Sequence, residues 1–396
     1  MMRSRPITKR KVVVSASVLL IFMVSIFLIV YNISPETKKH ILSFPERITT
    51  EYLSKRLSTK PTRISTSPTR ISTNPSKISA NPKKMSANPK KMSANPKKLS
   101  ERELLLFVGI HSAPSRLDRR NAIRETWMKE CQSNPNAICR FFTDGQDPNG
   151  KVLQGEKRIK LENESRVYGD LFLTEVPGGV NFAVKYLWML QWAKERYDFQ
   201  YFLRLDDDYF ICFRKLMLEL EFFRPKKKFQ WGWLHCELPA ATWLDEAFYL
   251  VSKDIVESYL SRRDTLLCHV WESQAIGYWT KNISDLTTFA DNRRLLHKQT
   301  GFSSEQEVLK RTEICHSVLA IHKSYPEKMR LFWSIYEKED KPVAYQEVKI
   351  SYGCRYPLAM DYRTWGKKSI WFSEPKLCKD NPVWDRNGEY KGRQGH

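Results

Sequence analysis

No Cys-x-x-Cys pair occurs in the 396 residues, which argues against a structural zinc site. No acid stands among the first eleven residues, which carry Arg3, Arg5, Lys9, Arg10 and Lys11. Residues 34–100 have few large apolar side chains and cannot assemble a core. Beyond Glu101 there is no linker that would divide the remainder into two smaller domains. A strongly basic folded part is lacking as well. Of the formal net charge of +22, residues 1–11 carry +5 and residues 34–100 carry +12, which leaves +5 for everything after residue 100. That placement excludes nucleic acid as the partner implied by the charge.

The most apolar stretch runs from Val12 to Val30, interrupted by Ser15, Ser17 and Ser25 and extended by Tyr31 to Ile33. As a helix, its roughly 22 residues span about 33 Å, enough for a ~30 Å hydrocarbon core. Its hydrophobic region is longer than that of a cleaved signal peptide, and no small-x-small site follows Val30. The basic flank predicts a cytoplasmic N-terminus and a lumenal or extracellular remainder. Then Pro61, Pro68, Pro75, Pro82, Pro89 and Pro96 recur every seven residues. A proline in each unit rules out a coiled coil, so this stretch reads as an extended stem, with Ser and Thr beside Pro as candidates for O-glycosylation.

Eight cysteines beyond the anchor suit an oxidising lumen. Cys131 and Cys139 flank a short loop and are expected to pair; Cys212 reads as a buried free thiol. Asn163 and Asn282 head glycosylation sequons.

From Glu101 the pattern turns globular. Leu104 to Ile110 predicts a buried strand, Arg119 to Met128 a helix, and Arg140–Phe142 and Leu171–Leu173 two further strands. Asn181 to Tyr197 predicts a long amphipathic helix with Val184, Leu187, Trp188 and Trp192 on one side. This alternation argues for an α/β domain with a mostly parallel central sheet. The next strand, Tyr201-Phe202-Leu203-Arg204-Leu205, ends in Asp206-Asp207-Asp208. Three adjacent carboxylates at a strand end repel one another, and a hard divalent cation such as Mn²⁺ or Mg²⁺ would relieve them. The carboxyl ends of strands in open α/β sheets are where ligands bind, here a nucleotide diphosphate. The competing reading is a solvated acidic turn.

Arg120-Asn121-Ala122-Ile123-Arg124-Glu125-Thr126-Trp127 resembles the R-x-x-I-R-x-T-W signature of the β-1,3-galactosyltransferase family, which includes β-1,3-N-acetylglucosaminyltransferases and is related to the Fringe proteins. Tyr168-Gly169-Asp170-Leu171, Asn181 to Lys185, the triple aspartate, Trp231-Gly232, Tyr249 to Asp254, and His322 with Pro326 and Met329 resemble further family segments in the family's order. The resemblance covers roughly residues 104–335. It implies a glycosyltransferase A-like, nucleotide-sugar-binding fold in a Golgi type II membrane enzyme. It further implies Mn²⁺ dependence and transfer of galactose or N-acetylglucosamine from a UDP-sugar to a glycan, glycoprotein or proteoglycan hydroxyl, with inversion and β-1,3 linkage. The chain then divides into a cytoplasmic tail (1–11), a signal-anchor (12–33), a stem (34–100), a lumenal glycosyltransferase domain (101–345) and a C-terminal extension (346–396). On the same resemblance Asp206, Asp208 and His322 are the expected metal ligands. Arg120, Arg124, Lys185, Asp206 and Asp207 are expected to serve the nucleotide, while Trp127 reads as core.

Two departures stand out. Where the family carries a second acid as general base, this chain has Trp271-Glu272-Ser273, and a serine hydroxyl cannot accept a proton as a carboxylate does. Where the family has G-x-G-Y, the chain reads Glu246-Ala247-Phe248-Tyr249, with Phe248 expected to reshape the acceptor side. Glu272, Asp245 and Glu246 are therefore the candidate bases. A catalytically weakened glycan-binding or scaffolding protein is the alternative reading.

Overall fold

Leu104–His111 (β1) is buried at all eight positions, as expected of a strand covered on both faces. In the computed structural model, which describes residues 102–239, 241–298, 304–339, 347–361, 373–385 and 390–393, it lies at the middle of an eight-stranded sheet. The anchor (12–33) and stem (34–100) lie outside the described residues. Among the described residues no helix is long and apolar enough to cross a membrane.

After β1 come two short helices, Leu117–Glu125 (α1) and Met128–Ser133 (α2), then Ala137–Asp144 (β2), Gly155–Tyr168 (α3) and Leu171–Thr174 (β3). Helix Phe182–Arg196 (α4) crosses back to Phe199–Asp206 (β4), which pairs in parallel with the other side of β1. Strands β3, β2, β1 and β4 are thus parallel, and the direction of winding reverses between β1 and β4. Phe210–Ile211 (β5) and Phe213–Phe222 (α5) follow. A long antiparallel hairpin, Phe229–Leu238 (β6) and Ala241–Ser252 (β7), completes the sheet by pairing β7 with β4, and Thr287–Ala290 (β9) joins in parallel beside β6. Between them lie Lys253–Ser261 (α6), Leu267–Cys268 (β8) and Glu272–Thr280 (α7).

A second, three-stranded sheet places Leu295–Leu296 (β10) and Ala320–Ile321 (β11) against β5. Glu305–Leu309 (α8) and Pro326–Tyr336 (α9) flank β11, and α9 packs on α1. Ala359–Met360 (β12) pairs with β7, and Lys376–Leu377 (β13) with β8.

Trp127 is fully buried in the core, and its Nε1–H donates to the Tyr209 carbonyl at 3.0 Å, just beyond the acidic triad. Cys131 pairs with Cys139 as expected. Cys212 is not a free thiol: it is joined to Cys315, because the β5–β11 pairing brings together chain 103 residues apart. Cys236–Cys354 and Cys268–Cys378 fasten the C-terminal extension to the domain. Phe248 does not reach the acceptor side. It is buried in the core between Tyr209 and Trp231, which satisfies its large ring more fully than an exposed position would.

Candidate active site

The reversal between β1 and β4 opens a crevice at the carboxyl ends of the two strands, the place where open α/β sheets bind ligands. His111 at the end of β1 stands opposite Asp206 at the end of β4. Together with Arg116, Asp144, Lys185, Arg204, Asp208, Glu246 and Trp271 they line a cleft of about 700 Å³.

His322 is brought against Asp208, beside this cleft, through the second sheet. The register Ile321↔Phe210 sets the residue after β11 over the residue before β5, and the His322 ring stacks on Tyr209 at 4.9 Å. The Ser324 amide donates to the Asp208 carbonyl at 2.8 Å, and His322 Nε2 lies 3.5 Å from Asp208 Oδ1. One donor atom each from Asp206, Asp208 and His322 falls within 4.8 Å of the others, an arrangement that could hold a divalent metal. The donor chemistry fits such an ion. Burial, followed by the neighbouring charges of Asp206 and Asp207, pushes the Asp208 carboxyl up to about 6. Its Oδ1 is buried with no hydrogen-bond partner. Burial, then His297, pushes His322 down to about 4, which keeps the imidazole neutral as a ligand must be.

Asp207 turns away from the cleft. It is buried and accepts from Arg116 at 3.1 Å and Arg119 at 2.9 Å, so it anchors the two arginines at the start of α1. Arg116, which the sequence reading did not single out, is thereby held on the cleft rim as a half-exposed cation. Lys185 also lines the cleft: its ammonium pairs with Asp144 at 2.6 Å and donates to the Gly179 carbonyl at 2.7 Å. Gly179 has φ +82°, a left-handed backbone that suits glycine and turns this carbonyl toward α4.

Arg120 and Arg124 are not brought to the cleft. Arg120 is fully buried, forks onto both oxygens of Glu164 at 2.7 Å, and donates to Ser112 Oγ and the Ala113 carbonyl. Arg124 forks onto Asp170 and shares Glu164. Both are committed to carboxylates on α3 and just before β3, and Arg120 also braces the Ser112–Ala113 loop that lines the cleft. Because α3 is dominated by charged residues, it gave little periodic signal, and its Glu164 partner was not legible. Arg120→Met should lower stability by about 3 kcal/mol through loss of this buried pair. UDP affinity of the folded fraction should fall by only about threefold, since Arg120 acts on the cleft only through the Ser112–Ala113 loop it braces. Urea unfolding and a binding titration check both.

The candidate bases separate clearly. Glu272, the first residue of α7, is completely buried, and both its oxygens accept from Arg204 at 2.9 and 2.8 Å. Arg204 in turn donates to Asp206 Oδ1 at 2.5 Å and lies 3.3 Å from His111 Nδ1. Glu272 is therefore committed to Arg204 behind the acidic strand and lines neither cleft. Burial, followed by Arg204, holds His111 well below its ordinary value, so the ring is neutral. With Nδ1 accepting from Arg204, its proton sits on Nε2, a buried donor without a protein partner. Asp245 is held by His235 Nε2 at 2.8 Å and by the Ala247 amide at 2.9 Å. Glu246 alone of the three faces both the main cleft and an adjoining cleft of about 330 Å³ lined by His235, Trp243, Trp271, Ser273 and Gln274. Burial and then Asp245 raise its carboxyl, while Ser273, at the family's base position, hydrogen-bonds to it.

Residues 118–240 match the sequence model of the galactosyltransferase family. Over these residues the chain carries a galactosyltransferase-family domain, and its similarities support the β-1,3-galactosyltransferase family, whose members are hexosyltransferases. Similar curated proteins include beta-1,3-galactosyltransferase 6 of Mus musculus, 29% identical over 196 residues that make up 44% of this chain and 59% of the mouse protein. A mouse acetylgalactosaminyl-O-glycosyl-glycoprotein beta-1,3-N-acetylglucosaminyltransferase is 28% identical over 32% of this chain and 33% of its own. An Arabidopsis thaliana hydroxyproline O-galactosyltransferase is 22% identical over 48% and 31% respectively. The matched parts thus span between about a third and three fifths of the relatives' length.

Proposed function

We propose that this galactosyltransferase-family chain is a Golgi type II membrane enzyme. It transfers galactose, or N-acetylglucosamine, from a UDP-sugar to a glycan hydroxyl, with inversion and β-1,3 linkage. In this reading residues 12–33 anchor the chain, residues 34–100 form a stem, and the globular part faces the lumen. The observation that carries it is the Asp206–Asp208–His322 cluster, two of whose carboxylates line a cleft that shares Glu246 and Trp271 with a second, adjoining cleft. Asp206, Asp208 and His322 would hold Mn²⁺, which supplies positive charge for the departing diphosphate. Arg116, Lys185 and the His111 Nε2–H face the same space as cationic or neutral donors for phosphate or sugar oxygens.

In the adjoining cleft, Glu246 accepts the proton of the acceptor hydroxyl as that oxygen attacks the sugar carbon opposite the leaving group. Its raised carboxyl is a stronger base than a solvated glutamate, and Ser273 orients it. The two clefts adjoin at Glu246 and Trp271, so in this reading donor and acceptor are brought to either side of the Glu246 carboxylate.

The full-length chain in detergent should release UDP from UDP-galactose or UDP-N-acetylglucosamine with Mn²⁺, faster when a glycan acceptor is added. Manganese-dependent binding without release supports the alternative, a glycan-binding protein that has lost turnover, for which Ser273 at the family's base position is the motivating observation. No manganese-dependent affinity for any UDP compound overturns both.

A further inference from the structure

The C-terminal extension meets the walls of both clefts at separate points. Cys354 is joined to Cys236, next to His235 of the second cleft. Met360 pairs with Ala241 on β7 and packs with Trp243. Cys378 is joined to Cys268, and β13 extends β8 immediately before Val270 and Trp271. Farther on, the Trp384 amide donates to the carbonyl of Val180, which lines the main cleft.

His269 converts one of these attachments into a relay. The side chain is 1% exposed, and burial pushes its imidazole down to about 4, so it is neutral. Nε2 lies 2.8 Å from the Ser373 carbonyl, which can only accept, so the ring proton is on Nε2. Nδ1 is left as an acceptor, and the Trp271 backbone N–H donates to it at 3.2 Å. A carbonyl of the extension therefore fixes the ring that fixes the backbone of Trp271, which with Glu246 lines both clefts.

We propose that residues 347–361 and 373–385 brace the walls of the transferase site from behind, latched by Cys236–Cys354 and Cys268–Cys378, and that His269 is the positioning residue that transmits their placement to Trp271. This rests on the proposed transferase reading. A neutral tether could simply hold the chain end down. It would not, however, need attachments that converge on Val180 and Trp271, two residues lining one cleft.

The test uses the full chain carrying His269→Phe, which keeps a ring but removes both hydrogen bonds, and separately Cys268→Ser with Cys378→Ser. Both should raise the acceptor KM about tenfold while kcat falls less than about threefold. Amide exchange at Trp271 should quicken in both, and at Val180 and neighbouring loop residues in the cysteine variant. Folded variants with KM within twofold of the parent and unchanged exchange at these amides overturn the proposal. Should the variants not fold, the unmodified chain decides: UDP with Mn²⁺ should slow exchange of the Trp271 and Trp384 amides, and no slowing despite binding overturns it. If the parent neither binds nor turns over a UDP-sugar, the proposed function fails. The role of the segment is then read from exchange in the variants alone.

Discussion

Asp208→Ala should abolish the proposed sugar transfer, with turnover falling by about 10³-fold or more, the equivalent of several kcal/mol of lost charge stabilisation. The same carboxylate is a burden on the fold when no cation is bound. Its carboxyl is raised from an ordinary 3.8 to about 6 by burial and by Asp206 and Asp207, with Arg119 and Arg116 opposing only in part. A carboxyl whose folded value lies above its unfolded one contributes stability that is full below pH 3.8 and lost as the pH rises through 6. At pH 7 the metal-free chain therefore carries a penalty on the order of 2–3 kcal/mol at this residue. Asp208→Asn, which keeps the shape and drops the charge, should melt higher than the parent in a chelator and lose that advantage when Mn²⁺ is added. Thermal melts of the two proteins, with and without the ion, measure this. Equal gains from Mn²⁺ in parent and variant would show that Asp208 is not a ligand.

The readable parts of the sequence were those where one local rule decides the outcome. The apolar run of β1, the periodic face of α4 and the acidic end of β4 each predict their element from a short window, and all three are present. The acidic part of the candidate metal cluster was legible in the triple aspartate, but His322 only through family resemblance, because it lies more than a hundred residues from Asp208 and reaches it by the pairing of two-residue strands. Arg120 and Arg124 misled for a related reason. A guanidinium fits phosphate and carboxylate equally well, and the sequence does not show that Glu164 and Asp170 come within reach first. Arg204 passed as an ordinary strand residue. Its fork onto Glu272 depends on where α7 begins, which is a tertiary fact. The contribution of the extension after residue 346 was likewise hidden, since eight cysteines permit 105 pairings and the attachments come through long-range disulfides.

Glu246→Gln should lower kcat by about 10²- to 10⁴-fold, the range over which a positioned base acts, while leaving the affinity for UDP with Mn²⁺ nearly unchanged. The three acids can be told apart by how they fail. Glu272→Gln disturbs the fork that aims Arg204 at Asp206, so it should weaken nucleotide and metal binding and lower stability together. Asp245→Asn removes the partner of His235 and lifts a negative charge from beside Glu246, which lowers the Glu246 carboxyl toward its ordinary value. Its loss of turnover should be partial and should come with a pH–rate profile whose acidic limb moves to lower pH. Only Glu246 touches the space shared by donor and acceptor, so only its amide variant should bind both and transfer almost nothing. The Ser273→Ala variant sharpens the assignment: it leaves every carboxylate in place but removes the hydroxyl that orients Glu246, and should cost about tenfold in kcat with little change in donor KM. A Glu246→Gln protein that transfers sugar within threefold of the parent rate would remove Glu246 from the mechanism. The base would then have to be sought in the His235–Asp245 pair, which is the next proton acceptor along the same wall.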